Sequence, residues 1–390
     1  VLIRALEWRA RRLADPAHRL QFLRRKLTER QEPKRSHEYA RGAQDCLRYG
    51  LRSLVMTVTV LAGMISPDAT TVLLRVPKAE RRVWLVQATP QFDLYSNGLR
   101  IERQYATSTA ARKYLVFAMD RPGLVVSGAA PGAASGAEWR SEPAGIVYHT
   151  TESHWAPFEQ NENRELRRAG EGLLAYVSRR HSYHFVIDRF GRVFRIVRES
   201  DYANHAGNSV WADRFWIYIN LNQSFLGVAF EARSKPHGLD PTVNAAQVYA
   251  GRILTDMLRT RYRIAASNCV AHAQVSVNPA NFGAGFHLDW AANLPFGALG
   301  LPDNYQLPLA SVRLFGFQAD AARIDDATSA EDQTMEHATM LVGLEKAVAQ
   351  VRADAFAQNL PVERYRDKLQ ERYRDAIRAL RGKDAYQEYN

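Results

Sequence analysis

Apolar residues along this chain follow two rhythms. Between Arg81 and Gly128 they come in short runs, RRVWLVQATP (81–90), FDLYSNGLRI (92–101), RKYLVFAM (112–119) and GLVVSG (123–128), broken by Pro, Asn-Gly and Asp-Arg-Pro. That pattern predicts short strands joined by turns. The stretch 122–145 is heavy in Gly, Ala, Ser and Pro and reads as a linker or mobile loop. From Gly145 the rhythm changes. IVYHT is a short strand, and Leu166, Leu173, Leu174 and Val177 give Phe158 to Arg179 the spacing of a helix with one apolar face. SYHFVIDRFGRVFRIV (182–197) reads as a hairpin turning near Arg189-Phe190-Gly191, and SFLGVAFEA (224–232) as another strand. Pro241 to Tyr262 reads as a helix with Asp240 as its cap. The order strand, helix, hairpin, strand, helix predicts an α/β fold with a mixed central β-sheet flanked by helices. After a connector at 291–311, Glu331 to Phe356 and Pro361 to Leu380 read as helices. ERYRD occurs at 363–367 and again at 371–375, placing Tyr365, Leu369, Tyr373 and Ile377 near one stripe of a packed surface helix.

Charge adds a feature that the periodicity misses. The 390 residues carry a formal net charge of +11. Val1 to Arg52 hold 14 Lys/Arg against 6 Asp/Glu, so most of the surplus lies at the start. Ser53 to Pro67 follow without a charge, and extension back to Tyr49 gives a candidate membrane segment, 49–67. It is a little short of the roughly 20 residues of a usual membrane helix. A basic flank before it predicts a cytoplasmic start and an exported remainder, anchored to the inner membrane; a buried element of a small domain is the other reading. The chain thus divides into a basic region at 1–67, a strand-rich segment and linker at 68–140, an α/β domain at 141–310 and a helical extension at 311–390. Nucleic acid is not expected as a partner, because the basic surplus precedes an apolar segment. Two cysteines exclude a disulfide framework and a Cys-rich metal site.

Chemistry concentrates in the α/β domain. Eight of the 11 histidines lie between positions 149 and 287. No Ser-His-Asp spacing, phosphate-binding Gly loop or HExxH is present. His149 closes a strand in GIVYHTTES, His272 lies in NCVAHAQVS and His287 in GFHLDW. Three such ligands would leave a fourth zinc position open.

The wording around these histidines resembles a known family. GIVYHTTES, SYHFVIDRFGRVFRIV, NHAGNSVW, LGVAFEA, and AHAQVSVNP followed by HLDW occur in the order of the type-2 N-acetylmuramoyl-L-alanine amidases, over residues of about 145–296. The resemblance implies a Zn2+ cofactor, with His149 and His272 as its first two ligands. The family's third position, an Asp or Cys, falls here near Ala280, Asn281 and Phe282, so His287 is taken as third ligand and Asp289 as the alternative. The family's catalytic Glu falls on Ala229; Glu231, two residues on and on the same strand face, is the expected general base. His205 and His184 are expected to line the groove or to stabilise the oxyanion. The resemblance further implies hydrolysis of the amide between N-acetylmuramic acid and L-alanine, with peptidoglycan or muropeptides as partners and a periplasmic or extracytoplasmic place in the cell envelope. The alternative is a non-catalytic muropeptide-binding module.

Overall fold

A computed structural model describes residues 83–119, 137–154, 156–234, 243–319, 324 and 339–381. The run 49–67, the strand expected at 123–128 and the cap expected at Asp240 lie outside them.

The short apolar runs form strands as their alternation requires. Three come first: β1 (Leu85–Ala88), β2 (Phe92–Tyr95) and β3 (Arg100–Glu102). They are followed by β4 (Tyr114–Ala118) and β5 (Ala137–Arg140), the latter inside the stretch expected to be linker. Its AEWR pairs in antiparallel register with β4, Leu115 opposite Trp139, so a backbone partner outweighs the Gly- and Ser-rich flank. Next come β6 (Gly145–Thr150), β7 (Phe185–Ile187) and β8 (Val193–Arg195), then β9 (Val210–Ala212), β10 (Trp216–Ile219), β11 (Phe225–Phe230) and β12 (Cys269–Ala271).

Eight strands make a mixed sheet in the order β1-β2-β3-β8-β7-β11-β6-β12, and β5-β4-β10-β9 make a second. In the first sheet β6 runs parallel to both β11 and β12. Every residue of β6 and β11 is buried, as expected of parallel strands covered on both faces. One face carries Ile146, Tyr148, Leu226, Val228 and Phe230, packed with Leu254, Met257 and Leu258 of a helix. The other carries Val147, His149, Gly227 and Ala229; there Ala229 packs with Leu174 and Val177 of another.

Those two helices are α1 (Asn163–Arg179) and α2 (Ala245–Tyr262). Helix α2 begins four residues later than expected, because Asn244 caps it. The Asn244 Oδ1 accepts the Gln247 N–H at 3.0 Å, and the Gln247 Oε1 accepts the Asn244 N–H at 3.2 Å. This reciprocal box satisfies two donors that an uncapped end would leave bare. Helices α3 (Ala310–Phe315), α4 (Leu341–Ala357) and α5 (Val362–Leu380) follow. The ERYRD stripe of α5 buries Leu369 and Tyr373. Among the described residues no helix is long and apolar enough to cross a membrane.

Candidate metal centre

Register brings the candidate ligands together. His149 pairs with Ala229 near the end of β6. Ala271 of β12 pairs with Tyr148, so His272, which follows it, arrives beside His149. Their rings lie 4.5 Å apart. Asp289 reaches both from a loop: its Oδ2 is 3.1 Å from His149 Nδ1 and its Oδ1 is 2.7 Å from His272 Nδ1. One ligand atom from each of the three lies within 4.8 Å of the others.

The protonation of this group follows from its neighbours. The carbonyl of Phe225 can only accept, so the His205 Nε2 that lies 3.3 Å from it carries a proton. His205 is buried, and burial lowers its pKa well below the usual value, with His149 and His184 adding to the effect. Its ring is therefore neutral and its Nδ1 is an acceptor. That Nδ1 lies 3.1 Å from His149 Nε2, so His149 donates from Nε2. Burial first, then His272, lowers the pKa of His149 to about 4, and its Nδ1 keeps a lone pair. Burial would raise the Asp289 carboxyl, but His272 and the two histidine contacts outweigh it and hold Asp289 far below the usual range. A lone pair and an ionised carboxylate thus face each other at 3.1 Å, an arrangement that a cation relieves. The His272 Nε2 is buried with no hydrogen-bond partner among the described residues. Two imidazoles and one carboxylate suit zinc, whose bonds of about 2.0–2.1 Å set tetrahedral ligands roughly 3.3 Å apart and leave a fourth position open.

His287 lies outside this group of three. It is exposed, its ring stacks on that of His272 at 5.0 Å, and its N–H is held by the Ser276 Oγ at 2.9 Å. Glu231 is only 5% exposed, and its Oε2 accepts the Arg189 N–H at 3.0 Å. Burial raises its pKa against that bond, and its charged neighbours are Asp188, Arg189 and Arg192 of the hairpin turn. His184 is fully buried. Its Nδ1 accepts the Gly227 N–H at 2.9 Å, and its Nε2 lies 3.1 Å from the Asp201 carbonyl. His205 stands behind His149, its two nitrogens engaged as described.

Two residues not singled out from the sequence belong here. The Tyr183 ring lies 5.1 Å from that of His149. Burial raises its pKa, and the charges of Asp289 and Glu152 add to the shift, so its phenol stays protonated. Glu152 is exposed three residues beyond His149, its Oε1 bonded by the Ser234 N–H at 2.8 Å. Glu152, Tyr183 and Trp290 have φ of 50°, 65° and 57°. Left-handed backbone in non-glycine residues collects at functional sites, and no periodic signal in the sequence announces it.

Residues 139–281 match the family model described as N-acetylmuramoyl-L-alanine amidase. None of the curated proteins matches the chain. Similar solved structures include the N-acetylmuramoyl-L-alanine amidase LysC from Clostridium intestinale, 20% identical, covering 40% of this chain and 83% of that one with a TM-score of 0.25. Amidase AmiD from E. coli is 20% identical, over 57% of this chain and 82% of that one, with a TM-score of 0.32. AmpDh3 from Pseudomonas aeruginosa is 20% identical, over 62% and 90%, with a TM-score of 0.31. Over residues 139–281, and with a buried His-His-Asp group at the end of its central strands, this chain carries a domain of the N-acetylmuramoyl-L-alanine amidase family.

Proposed function

We propose that this chain hydrolyses the amide between N-acetylmuramic acid and the L-alanine of peptidoglycan stem peptides, with zinc held by His149, His272 and Asp289. The observation that carries this reading is the buried group of those three side chains. Zinc supplies a Lewis acid that polarises a carbonyl and lowers the pKa of water.

The chain's own residues do the rest. Asp289 and His149 supply a carboxylate and a fixed lone pair. The Tyr183 phenol, kept protonated beside His149, donates to the oxygen that gains charge. Glu152 is the proton acceptor in preference to Glu231, because it is exposed three residues beyond His149 whereas Glu231 is buried and tied to the hairpin turn. Peptidoglycan lies outside the cytoplasmic membrane, so the protein works in the cell envelope, with 49–67 as its proposed inner-membrane anchor.

Ala229, where the family's carboxylate is expected, favours a second reading as a muropeptide-binding module. Incubation of the zinc-loaded protein with a muropeptide separates the two. Release of a peptide with a free L-alanine amino terminus is the expected result; binding without release supports the second reading.

A further inference from the structure

Zinc needs a lone pair on one particular nitrogen of His149, and an imidazole left alone exchanges its proton between two. We propose that His205 is a positioning residue that acts through His149, fixing its Nε2–H tautomer so that Nδ1 always faces the metal. The inference rests on the zinc reading above.

Four observations support it. The relay is continuous: His149 Nε2 lies 3.1 Å from His205 Nδ1, and His205 Nε2 lies 3.3 Å from the Phe225 carbonyl, which can only accept, so the His205 ring places its proton there and offers Nδ1 to the His149 Nε2–H. A backbone carbonyl has no second protonation state, so the end of the relay is fixed. The segment that carries His205 is pinned as well, because the Asn222 Oδ1 accepts the N–H groups of His205 at 2.9 Å and Ala206 at 2.6 Å. Gly227 makes the space. A Cβ there would lie 2.6 Å from His205 Cγ and 2.9 Å from its Nδ1, so a side chain at this position displaces the ring. Finally, His184 holds Gly227 in place by accepting its N–H. His205 is 8% exposed with both nitrogens engaged, which suits a supporting role rather than contact with substrate.

Zinc affinity measured by chelator competition, together with nitrogen NMR of the histidine rings, tests the proposal. His205→Ala is expected to weaken zinc binding by about 10- to 100-fold, the usual effect of losing such a support. His205→Gln, whose side-chain oxygen can accept from His149 Nε2, is expected to recover most of the loss. The ring of His149 in the zinc-free wild type is expected to be the Nε2–H tautomer. Gly227→Ala reads the same relay where His205→Ala does not fold, and is expected to weaken zinc comparably. Unchanged affinity in His205→Ala, a His205→Gln variant as weak as His205→Ala, or an Nδ1–H tautomer in the wild type would each overturn it. A wild type that takes no zinc defeats the metal reading instead, and the NMR tautomer still decides this one.

Discussion

Asp289 is the residue that joins the two proposed zinc histidines, because each of its oxygens meets one of them. Removal of its side chain leaves two imidazoles and no negative charge, a poor site for a divalent cation. Asp289→Ala is therefore expected to lose stoichiometric zinc, while His287→Ala keeps it; zinc content by elemental analysis checks both, and the reverse pattern moves the third ligand to His287. That His149 and His272 come together was legible because GIVYHTTES and AHAQVSVNP place a histidine at or just beyond a strand end. The choice between His287 and Asp289 was not. The loop before them contains Phe282 at φ 52° and Gly285 at φ 67°, and no spacing rule says which of two residues such a loop turns inward. Glu231 shows the complementary limit. Alternation put it on the face of His149, yet a whole pleat further along, where the Arg189 N–H takes its carboxylate. Glu231→Ala removes that charge-assisted bond and is expected to cost about 1–3 kcal/mol of stability with zinc still bound. A chemical denaturation curve beside a zinc assay reads both effects; normal stability with lost turnover would return Glu231 to catalysis.

Elements position these residues through a few local devices. The hairpin turn between β7 and β8 is closed by the Asp188 Oδ1, which accepts the N–H groups of Phe190 at 3.0 Å and Arg192 at 2.8 Å, with Gly191 at φ 76°. The Asp-Arg-Phe-Gly wording made this turn readable in advance. The start of α2 was not, because Pro241 and Asp240 offered a plausible cap and Asn244 a better one. Asn244→Ala is expected to lower stability by about 1 kcal/mol, the usual worth of such a cap, which thermal unfolding would show; no change would mean that the Gln247 contacts alone hold the end. Arg112 had no signal at all. It lies in an apolar run, yet it is buried and its guanidinium donates hydrogen bonds to the carbonyls of Glu199 at 3.3 Å and Asp201 at 3.0 Å, and to that of Gln223. Burial lowers its pKa to about 10. One side chain thus ties the start of β4 to the loops flanking the site, through contacts between residues 87 to 111 apart that no local pattern encodes.

At the scale of the whole molecule, the mixed sheet with its helices was foreseen from element order, whereas the sheet β5-β4-β10-β9 was not, since it pairs strands on either side of a predicted linker with one inside it. The buried histidines set the acid response. His149 is lowered to about 4, and His184 and His205 are lowered well below 6.5, chiefly by burial. The unfolded chain binds protons below about pH 6.5 that the fold refuses. Their stabilisation is therefore full above that pH and is lost as pH falls towards 4 and below. Burial raises Asp188 and Glu231, which act in the opposite sense, two carboxylates against three imidazoles. The zinc-free protein is expected to melt at a lower temperature at pH 5 than at pH 7.5; an equal or higher midpoint would mean that these rings are charged in the fold. The basic surplus lies before Ser53, outside the described residues.

The central claim is that His149, His272 and Asp289 would hold the zinc with which this chain hydrolyses one amide of peptidoglycan. Mass spectrometry of a peptidoglycan digest, run with the zinc-loaded wild type and with His272→Ala, tests it most directly. The account predicts free stem peptides beginning with L-alanine from the wild type and none from His272→Ala. Intact peptidoglycan after treatment with the zinc-loaded wild type, or equal release by both proteins, would contradict it.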